Sequence, residues 1–429
     1  MPTAPPSLEY NRVDSPIHMA AEQSILFLAC ATLAFGVLAF GAVHEWSTCV
    51  LECGSALLFG LWAGYQVVLQ RIRLTSKAVF PALLLLSLPI LQLLTGRTAY
   101  AYATRYNLLQ WLAYGVFFLI ASEFSWSPVA RKRLAISIAA FGSLYAIFSL
   151  IQGFIFPPNM LYAMVKTHGS GFGSYANRNH YAGLMEMLLP FGLVISSFRS
   201  VPRSLRVLSI FGSLVMLTSV FASRSRGGML SVTIAMSVFA FYYWRHEHHG
   251  GRTRTLLIVL ALSSAFVAYF AYDQVASRLV AEKGDSVRWQ IARDSIHLAA
   301  QHPLIGSGLG TFTEVYPRVR SFPMDLFVNA AHNDYVQLVV ETGFLGVLFT
   351  AAFLMLVFRN AFQQVRHTRK DWFSAVSLAA VIGMIALLVH SLTDFNLEIP
   401  ANAATFAFLA GLASASSEQG RYTRKHEPA

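Results

Sequence analysis

Long apolar runs recur along almost the whole chain and constrain its fold more than any other feature. An α-helix needs about 20 predominantly apolar residues to cross a bilayer. Twelve such runs cover residues 24–43, 53–70, 78–96, 106–122, 134–155, 179–198, 207–223, 227–244, 255–272, 335–358, 372–393 and 399–417. Only 12% of the residues are charged, against about 25% in a soluble globular protein. The sequence therefore predicts an all-α integral membrane protein with about twelve transmembrane helices.

The apolar runs divide the chain into five parts. We predict an N-terminal tail over residues 1–23, transmembrane helices 1–9 over 24–272, a long loop with amphipathic helices over 273–334, transmembrane helices 10–12 over 335–417 and a C-terminal tail over 418–429. The first apolar run is too long for the core of a signal peptide, and no small-residue cleavage site follows it. We therefore expect it to be retained as a membrane helix.

Lys and Arg residues are distributed unevenly between alternate loops. With the N-terminus inside, the cytoplasmic segments hold 20 of the 32 Lys and Arg residues, and the short loops on the opposite side hold 6. Because short cytoplasmic loops are enriched in cations, we predict that both tails are cytoplasmic and that the 273–334 loop lies outside. The net charge of +11 then reflects topology and attraction to anionic membrane lipids, so no nucleic-acid partner is expected.

Two cations that break this distribution are candidates for function. Arg224 and Arg226 lie in a short turn on the outer side, and Gly227 and Gly228 begin the eighth span. A helix N-terminus offers free N–H groups and a positive dipole end, and the planar fork of arginine matches phosphate oxygens. The alternative is that the arginine side chain only reaches to lipid headgroups. We favour that alternative for Arg224 and anion binding for Arg226.

The long loop supplies further candidates. Residues 285–301 are predicted to form an amphipathic helix that carries Arg288 and Arg293. An interfacial helix with a cationic flank and an anion-binding helix are both open interpretations. The apolar side of this helix, expected to face the membrane, consists of Val287, Ile291 and Leu298. The run Gly306-Ser-Gly-Leu-Gly310 is similar to a phosphate-cradling loop, but no strand precedes it, so it is a weak nucleotide motif.

His332 stands just before the tenth span. Asn333 and Asp334 follow it, and either could cap that helix. A helix N-terminus disfavours an imidazolium, so His332 is expected to stay neutral near pH 7 and to be able to accept a proton as a general base. A merely polar residue at the membrane interface is the alternative interpretation.

Four more polar residues lie in or beside apolar spans. His180 and Glu186 in the sixth span are expensive in lipid and are expected to face a cavity. His390 and Asp394, at the end of the eleventh span, are a possible second polar pair whose role stays open. No acidic pair of the Asp-x-Asp type occurs in an outer loop, so no metal and no other cofactor are predicted.

Several short motifs follow one another over roughly residues 170–410. They are Asn177-Arg-Asn-His180, Ser225-Arg226-Gly227, Arg288 with Trp289 and Ile296, Pro303-Leu-Ile-Gly-Ser-Gly308, His332-Asn-Asp-Tyr335 with Glu341-x-Gly343-x-x-Gly346, and Asp394-Phe-Asn-Leu-Glu-Ile-Pro-Ala-Asn402. By their order and spacing, the chain resembles the O-antigen ligase and polymerase superfamily of bacterial envelope glycosyltransferases.

This resemblance implies a GT-C-like fold in the bacterial inner membrane, with the loop between helices 9 and 10 in the periplasm and the active site facing it. It also implies transfer of a glycan from an undecaprenyl diphosphate carrier to lipid A-core or to another glycan. His332 is expected as the catalytic base, and the diphosphate is expected to lie on Arg226 and Arg288. The further candidates for substrate binding are Arg224, Arg293, Arg178, His180, Asn333 and Asp334.

Three functions remain open at this point. The first is metal-independent, inverting transfer by an O-antigen ligase that builds lipopolysaccharide, since two arginines could neutralise the leaving diphosphate. The second is an O-antigen or exopolysaccharide polymerase with the same site. The third is a transporter of lipid-linked glycans, which should carry polar residues through the depth of the bilayer and show repeated halves. The polar residues gather at one face, which favours an enzyme.

Overall fold

The structure of the chain is a computed structural model. It describes residues 16–70, 74–156, 160–162, 165–166, 170–198, 200–246, 283–323, 327–367 and 371–415. The predicted ninth span, 255–272, lies outside these residues, and so do residues 1–15, the beginning of the long loop and residues 416–429.

The described residues are almost entirely helical. The helices are α1 (Pro16–Leu38), α2 (Glu45–Val68), α3 (Val79–Leu94), α4 (Ala101–Phe124), α5 (Pro128–Ile155), α6 (Arg178–Ser197), α7 (Arg203–Ala222), α8 (Arg226–His246), α9 (Lys283–Gln301), α10 (Phe312–Val315), α11 (Asp334–His367), α12 (Trp372–His390) and α13 (Pro400–Ser414). Short 3-10 helices cover Phe40–Ala42, Tyr316–Arg318 and Asn396–Glu398. Strands β1 (Met160–Leu161) and β2 (Val165–Lys166) form a small antiparallel hairpin.

The helices follow the apolar runs. Each predicted span within the described residues coincides with a helix, and 7 helices are long and apolar enough to cross a membrane. These are His18–Leu38, Glu45–Val68, Ala101–Phe124, Pro128–Ile155, Arg203–Ala222, Asp334–Val365 and Trp372–His390. The prediction of an all-α integral membrane protein is confirmed at this level, and the total of twelve spans stays a prediction.

The centre of the bundle consists of α6, α12 and α13, which are buried along most of their lengths. Helix α6 packs against α5, α7 and α12. The outer helices instead present large apolar side chains to their surroundings, and Phe154 on α5 is 85% exposed. Lipid tails are the environment in which a surface with so many large exposed apolar side chains is stable, because the backbone is satisfied within each helix.

A buried arginine joins four helices at one end of the bundle. Arg131, near the start of α5, is fully buried, and its Nε donates to the carbonyl of Ser125 at 2.7 Å. Its Nη1 and Nη2 donate to the carbonyls of Phe373 and Leu412 at 2.9 and 3.0 Å. Ser125 and Leu412 lie at the C-terminal ends of α4 and α13, where the helix dipole favours a cation. The guanidinium therefore replaces the missing hydrogen-bond donors of these helix ends.

Helix α11 is broken near its beginning, unlike the uninterrupted span predicted over 335–358. Gly343 has φ 64° and ψ −162°, a combination that is essentially limited to glycine. The peptide groups on either side of the break bond to the preceding loop, since the Phe344 N–H donates to the Pro303 carbonyl at 2.8 Å and the Gly308 N–H donates to the Glu341 carbonyl at 3.1 Å. The N–H and C=O groups at the break therefore have hydrogen-bond partners within the protein, as the membrane interior requires.

A second, smaller apolar core lies in the polar segment before α11. It is built from Ile291, Leu298, Phe312, Val315, Tyr316, Val328, Ala331 and Val340. Val287 packs against the same cluster. The apolar side of α9 therefore packs within the protein, against the loop around Phe312 and against Val340 of α11. The prediction that Val287, Ile291 and Leu298 lie toward the membrane side stays a prediction. The exposed apolar residues of α9 are Trp289 and Ile296.

Candidate active site

The loop that follows α12, residues 391–395, is the centre of a polar site at one end of the bundle. Its Asp394 is buried. The carboxylate accepts from the side chain of Asn179, and its Oδ1 lies 3.6 Å from His180 Nε2. This distance is too long for a hydrogen bond, so the contact with His180 is electrostatic. Burial alone would raise the pKa of Asp394, but His180 and the Phe395 N–H hold it below its usual value.

His332 lies beside this aspartate. The imidazole packs edge-on against Phe395 with 5.0 Å between ring centroids, and His180 contacts the same ring at 4.7 Å. The Nδ1 of His332 is buried and has no hydrogen-bond partner among the described residues. His332 also has φ 52°, in the left-handed region, which is uncommon for residues other than glycine. The chain thus holds this imidazole in place by its backbone and by an aromatic contact.

The environment of His332 keeps it neutral. Burial lowers its pKa below 6.5, and the positive charge of Arg288 lowers it further, while the carboxylate of Asp394 opposes both. At pH 7 the ring is therefore mostly uncharged, with one nitrogen available as an acceptor. A neutral imidazole in a half-buried position is what a general base requires.

The beginning of α11 is fixed to the same loop. Asn333 caps the helix, because its Oδ1 accepts from the N–H groups of Tyr335 and Val336 at 3.0 and 3.1 Å. Its Nδ2 donates to the Leu392 carbonyl at 2.8 Å. Of the two predicted capping residues, Asn333 is thus the cap. Asp334 has another contact, since its carboxylate accepts from the Leu397 N–H at 3.1 and 3.3 Å.

Arg288 reaches this loop from α9. Its Nη1 donates to the Thr393 carbonyl at 3.1 Å, and the side chain is otherwise exposed. Arg293 is also exposed, but five residues further along an α-helix corresponds to a rotation of about 140°. The two arginines therefore do not share one face of α9, and the contact places Arg288, rather than Arg293, beside His332.

The turn that carries Arg226, residues 223–228 and called the Arg226 turn below, contacts the loop 391–395 from the start of α8. A Cβ built on Gly227 would lie 2.9 Å from Thr393 Oγ1, so the first turn of α8 packs directly on the residue whose carbonyl holds Arg288. The Ser225 hydroxyl caps the helix by accepting from the Gly228 N–H at 3.2 Å. Arg226 itself is exposed at the helix N-terminus. Arg226, Arg288 and His332 therefore converge on one short loop.

Arg178 and Arg224 lie at the same end of the bundle. Arg178 precedes the predicted span 179–198, and burial together with the positive charge of Arg224 lowers its pKa. Arg224 is exposed and has φ 57°. Two guanidinium groups near each other form a strongly positive region, which favours an anion between them.

The glycine-rich run Gly306–Gly310 is not open to a ligand. The N–H groups of Gly310 and Phe312 donate to the carboxylate of Glu341 at 2.7 and 3.1 Å. The concave backbone is therefore filled by a carboxyl group that the protein itself supplies. A Cβ on Gly306 would lie 2.2 Å from the Glu341 carbonyl carbon, so this glycine allows close packing of the loop on α11.

A mostly apolar cavity of about 220 Å³ begins beside the site. Asp334 and Tyr335 line it near His332, and Phe353 and Leu354 line it further along α11. The carboxyl groups of Glu341 and Glu398 are also part of its wall. The polar site is thus connected with a space that suits part of an apolar chain. Among the described residues, no group of three or more His, Cys, Asp or Glu side chains is arranged to hold a metal ion.

The fold and the site define a class of protein: a multi-pass, all-α membrane protein with a polar, cation-rich site at one end of its bundle. Residues 211–351 match the family model described as O-antigen ligase. This stretch contains the Arg226 turn, Arg288 and His332. The resemblance predicted from the sequence is confirmed, and the chain carries an O-antigen ligase family domain. A comparison with curated proteins gives no match.

The family implies a glycosyltransferase-like enzyme of O-antigen ligase or polymerase type, with lipid-linked glycans as substrates and a position in a membrane. The loop 391–395, which lies beyond the matched residues, was only partly recognised from the sequence. Thr393 and Phe395 have no chemical signature that would single them out. Thr393 contributes its backbone carbonyl group, which accepts from Arg288, and Phe395 contributes its ring, which contacts His332 and His180.

Proposed function

We propose that this protein transfers a glycan from undecaprenyl diphosphate to an acceptor hydroxyl on the periplasmic face of the bacterial inner membrane. The proposed acceptor is lipid A-core, so that the protein is an O-antigen ligase. The observation that carries the proposal is the convergence of Arg226, Arg288 and His332 on the loop 391–395. Two cations and one neutral base are the groups that transfer from a glycosyl diphosphate needs.

In this mechanism the leaving group is stabilised by fixed charges. As the bond between the anomeric carbon and the diphosphate oxygen breaks, negative charge develops on that oxygen. Arg226 and Arg288 are proposed to stabilise this charge, aided by the N-terminus of α8. Arg224 and Arg178 are proposed to extend the positive region around this position, and Arg293, on another face of α9, is proposed to contact a more distant part of the substrate. No step in this scheme is assigned to a metal, and we propose that transfer is metal-independent.

The acceptor hydroxyl loses its proton as it attacks the anomeric carbon. His332 takes that proton on the ring nitrogen that carries no hydrogen, and direct attack inverts the anomeric configuration. Asp394 lies close enough to favour the imidazolium that forms, because an adjacent carboxylate stabilises a positive charge. His180, Asn333 and Asp334 are proposed to border the bound substrate, and the apolar cavity beside Tyr335 is proposed to receive part of a lipid chain.

A reconstituted transfer assay tests this proposal. The purified protein is mixed with a carrier-linked glycan and lipid A-core in excess EDTA, and the products are identified by mass spectrometry. Glycan attached to lipid A-core is the expected result. A lengthened carrier-linked glycan would instead identify a polymerase. Activity that disappears in EDTA and returns with Mg²⁺ or Mn²⁺ would contradict the metal-independent scheme, and carrier-linked glycan moved across a vesicle membrane without reaction would identify a transporter.

A further inference from the structure

Two titratable side chains beside the site have no part in the mechanism above. Glu186 on α6 and His390 at the end of α12 are almost completely buried, at 0% and 1% exposure. His390 Nδ1 lies 2.9 Å from Glu186 Oε1. The pair connects the two central helices at the end of the bundle that carries the site.

The imidazole of His390 packs directly against the Arg226 turn. A Cβ on Gly227 would lie 2.5 Å from His390 Cδ2 and 2.6 Å from Nε2. A Cβ on Gly228 would lie 3.1 Å from Glu186 Oε1. Cβ atoms essentially never come within 3.0 Å of another heavy atom, so only glycine at 227 allows this approach. The two glycines after Arg226 therefore lie on the Glu186–His390 pair.

The same histidine leads into the loop of the site. The three residues that follow it each accept a hydrogen bond through the backbone carbonyl group. Ser391 accepts from the Asp334 N–H at 3.1 Å, Leu392 from Asn333 Nδ2 at 2.8 Å and Thr393 from Arg288 at 3.1 Å. His390 thus lies between the turn that carries Arg226 and the loop that holds Arg288 and the start of α11. A shift of this ring would change the distance between the two arginines.

The pair is not well satisfied as a purely structural contact. Glu186 Oε2 and His390 Nε2 are buried and have no hydrogen-bond partner among the described residues. Buried polar atoms without a partner are destabilising, and apolar residues of similar volume often replace a buried ionisable pair at no cost to stability. A role other than stability accounts better for these two residues.

We infer that Glu186 and His390 form a positioning pair that fixes the Arg226 turn relative to Arg288, and that they act on the diphosphate only through Arg226. This inference rests on the proposed function, because it assumes that Arg226 binds the diphosphate. Both residues are positioning residues and neither contacts the substrate. What the positioning role needs from Glu186 is an oxygen in contact with His390 Nδ1.

Binding of undecaprenyl diphosphate to the full-length protein in detergent tests the inference. Glu186→Gln retains an oxygen that can accept from His390, so its Kd should stay within about 3-fold of wild type. Glu186→Ala removes the contact, and we expect binding weaker by about 10-fold or more, since a displacement of the order of 1 Å is costly for an oriented group. The matched control is Glu123→Ala, another buried carboxylate, which accepts from Thr75 at 2.7 Å and should leave the Kd unchanged.

A double-mutant cycle separates positioning from general destabilisation. In an Arg226→Ala background, Glu186→Ala should weaken binding by less than about 2-fold, because the two changes remove the same interaction. Independent effects would multiply instead, and that result would overturn the inference. His390→Gln, which removes the ring packed against Gly227 but keeps a polar side chain for Glu186, is a second variant. It should weaken binding by about 10-fold and likewise add little to Arg226→Ala.

The outcomes distinguish this inference from the proposed function. If the wild-type protein does not bind undecaprenyl diphosphate, or if Arg226→Ala binds it normally, the proposed function fails. If Arg226→Ala weakens binding while Glu186→Ala and His390→Gln bind as the wild type does, only the positioning role fails. Should Glu186→Ala not fold, His390→Gln in the same cycle with Arg226→Ala decides the question.

Discussion

Replacing Arg288 with alanine should weaken donor binding in a way that the structure makes quantitative. The guanidinium carries five N–H donors, and Nη1 contacts the Thr393 carbonyl at 3.1 Å. The remaining donors are available to a diphosphate. A hydrogen bond to a charged group contributes about 1.5–3 kcal/mol, so the loss of one such bond corresponds to about a 10- to 150-fold increase in Kd. Arg288→Lys should recover only part of this, because an ammonium cannot reproduce the planar fork.

The same substitution should also change the pH dependence of transfer. The base must be neutral, so the rate falls as the pH falls through the pKa of His332. Burial and the charge of Arg288 lower that pKa. Removing Arg288 removes one of these causes, so the acidic limb of the profile should move to higher pH. Asp394→Asn should move the limb in the opposite direction, since the carboxylate of Asp394 raises the pKa of His332.

The assay is a titration of undecaprenyl diphosphate followed by single-turnover rates at saturating donor from pH 5 to 9. The matched control is Arg318→Ala, which removes an exposed arginine from the same polar segment and should change neither quantity. An Arg288→Ala protein with wild-type Kd and an unshifted acidic limb would refute the placement of Arg288 beside the diphosphate and His332.

Three further predictions concern the fold. Gly343→Ala should lower the free energy of unfolding by about 3 kcal/mol, because φ 64° is strained for any side chain and a Cβ there would lie 2.5 Å from the Leu304 carbonyl carbon. The control is Gly60→Ala, where an added Cβ would have no atom within 4 Å, and equal unfolding midpoints for the two variants would contradict the argument. Arg131→Lys should destabilise the protein by about 2 kcal/mol or more, since an ammonium cannot satisfy all the carbonyl groups that Arg131 holds, and an unchanged midpoint would show that those contacts contribute little. In a cysteine-free protein in intact spheroplasts, Arg320→Cys should react with an impermeant reagent and His249→Cys should not, and the reverse pattern would exclude the proposed orientation.

The positions of the helices could be predicted from hydropathy because a membrane span is defined locally by its own apolar residues. The break in α11 could not be predicted in this way. Hydropathy carries no information on the positive φ of Gly343, and the hydrogen-bond partners that stabilise the break lie some 40 residues earlier, in the loop beginning at Pro303. Likewise, the apolar side of α9 can be recognised from its periodicity, but its partner in the fold cannot, since Phe312 and Tyr316 are contributed by another part of the chain.

In the candidate site, too, some residues could be predicted from the local sequence and others only from contacts between distant parts of the chain. Arg226 and Arg288 stand out in the sequence as cations on the predicted outer side, and His332 stands out as a histidine just before a span. In the loop that gathers them Asp394 stands out, whereas Thr393 and Phe395 have no such signature, because they act through a carbonyl group and a ring contact. The glycine-rich run misleads for a related reason. Its spacing suits an anion, but the group it holds is the carboxyl group of Glu341, and nothing in the motif itself indicates that contact.

The most direct test of the central claim is the single-turnover rate of a His332→Ala protein. Loss of a general base should slow glycan transfer by about 10²–10⁴-fold, while the Kd for undecaprenyl diphosphate stays within about 3-fold of wild type. His297→Ala, which changes an exposed histidine on α9, is the control and should transfer at the normal rate. A folded His332→Ala protein that transfers glycan as fast as wild type would contradict the assignment of His332 as the base.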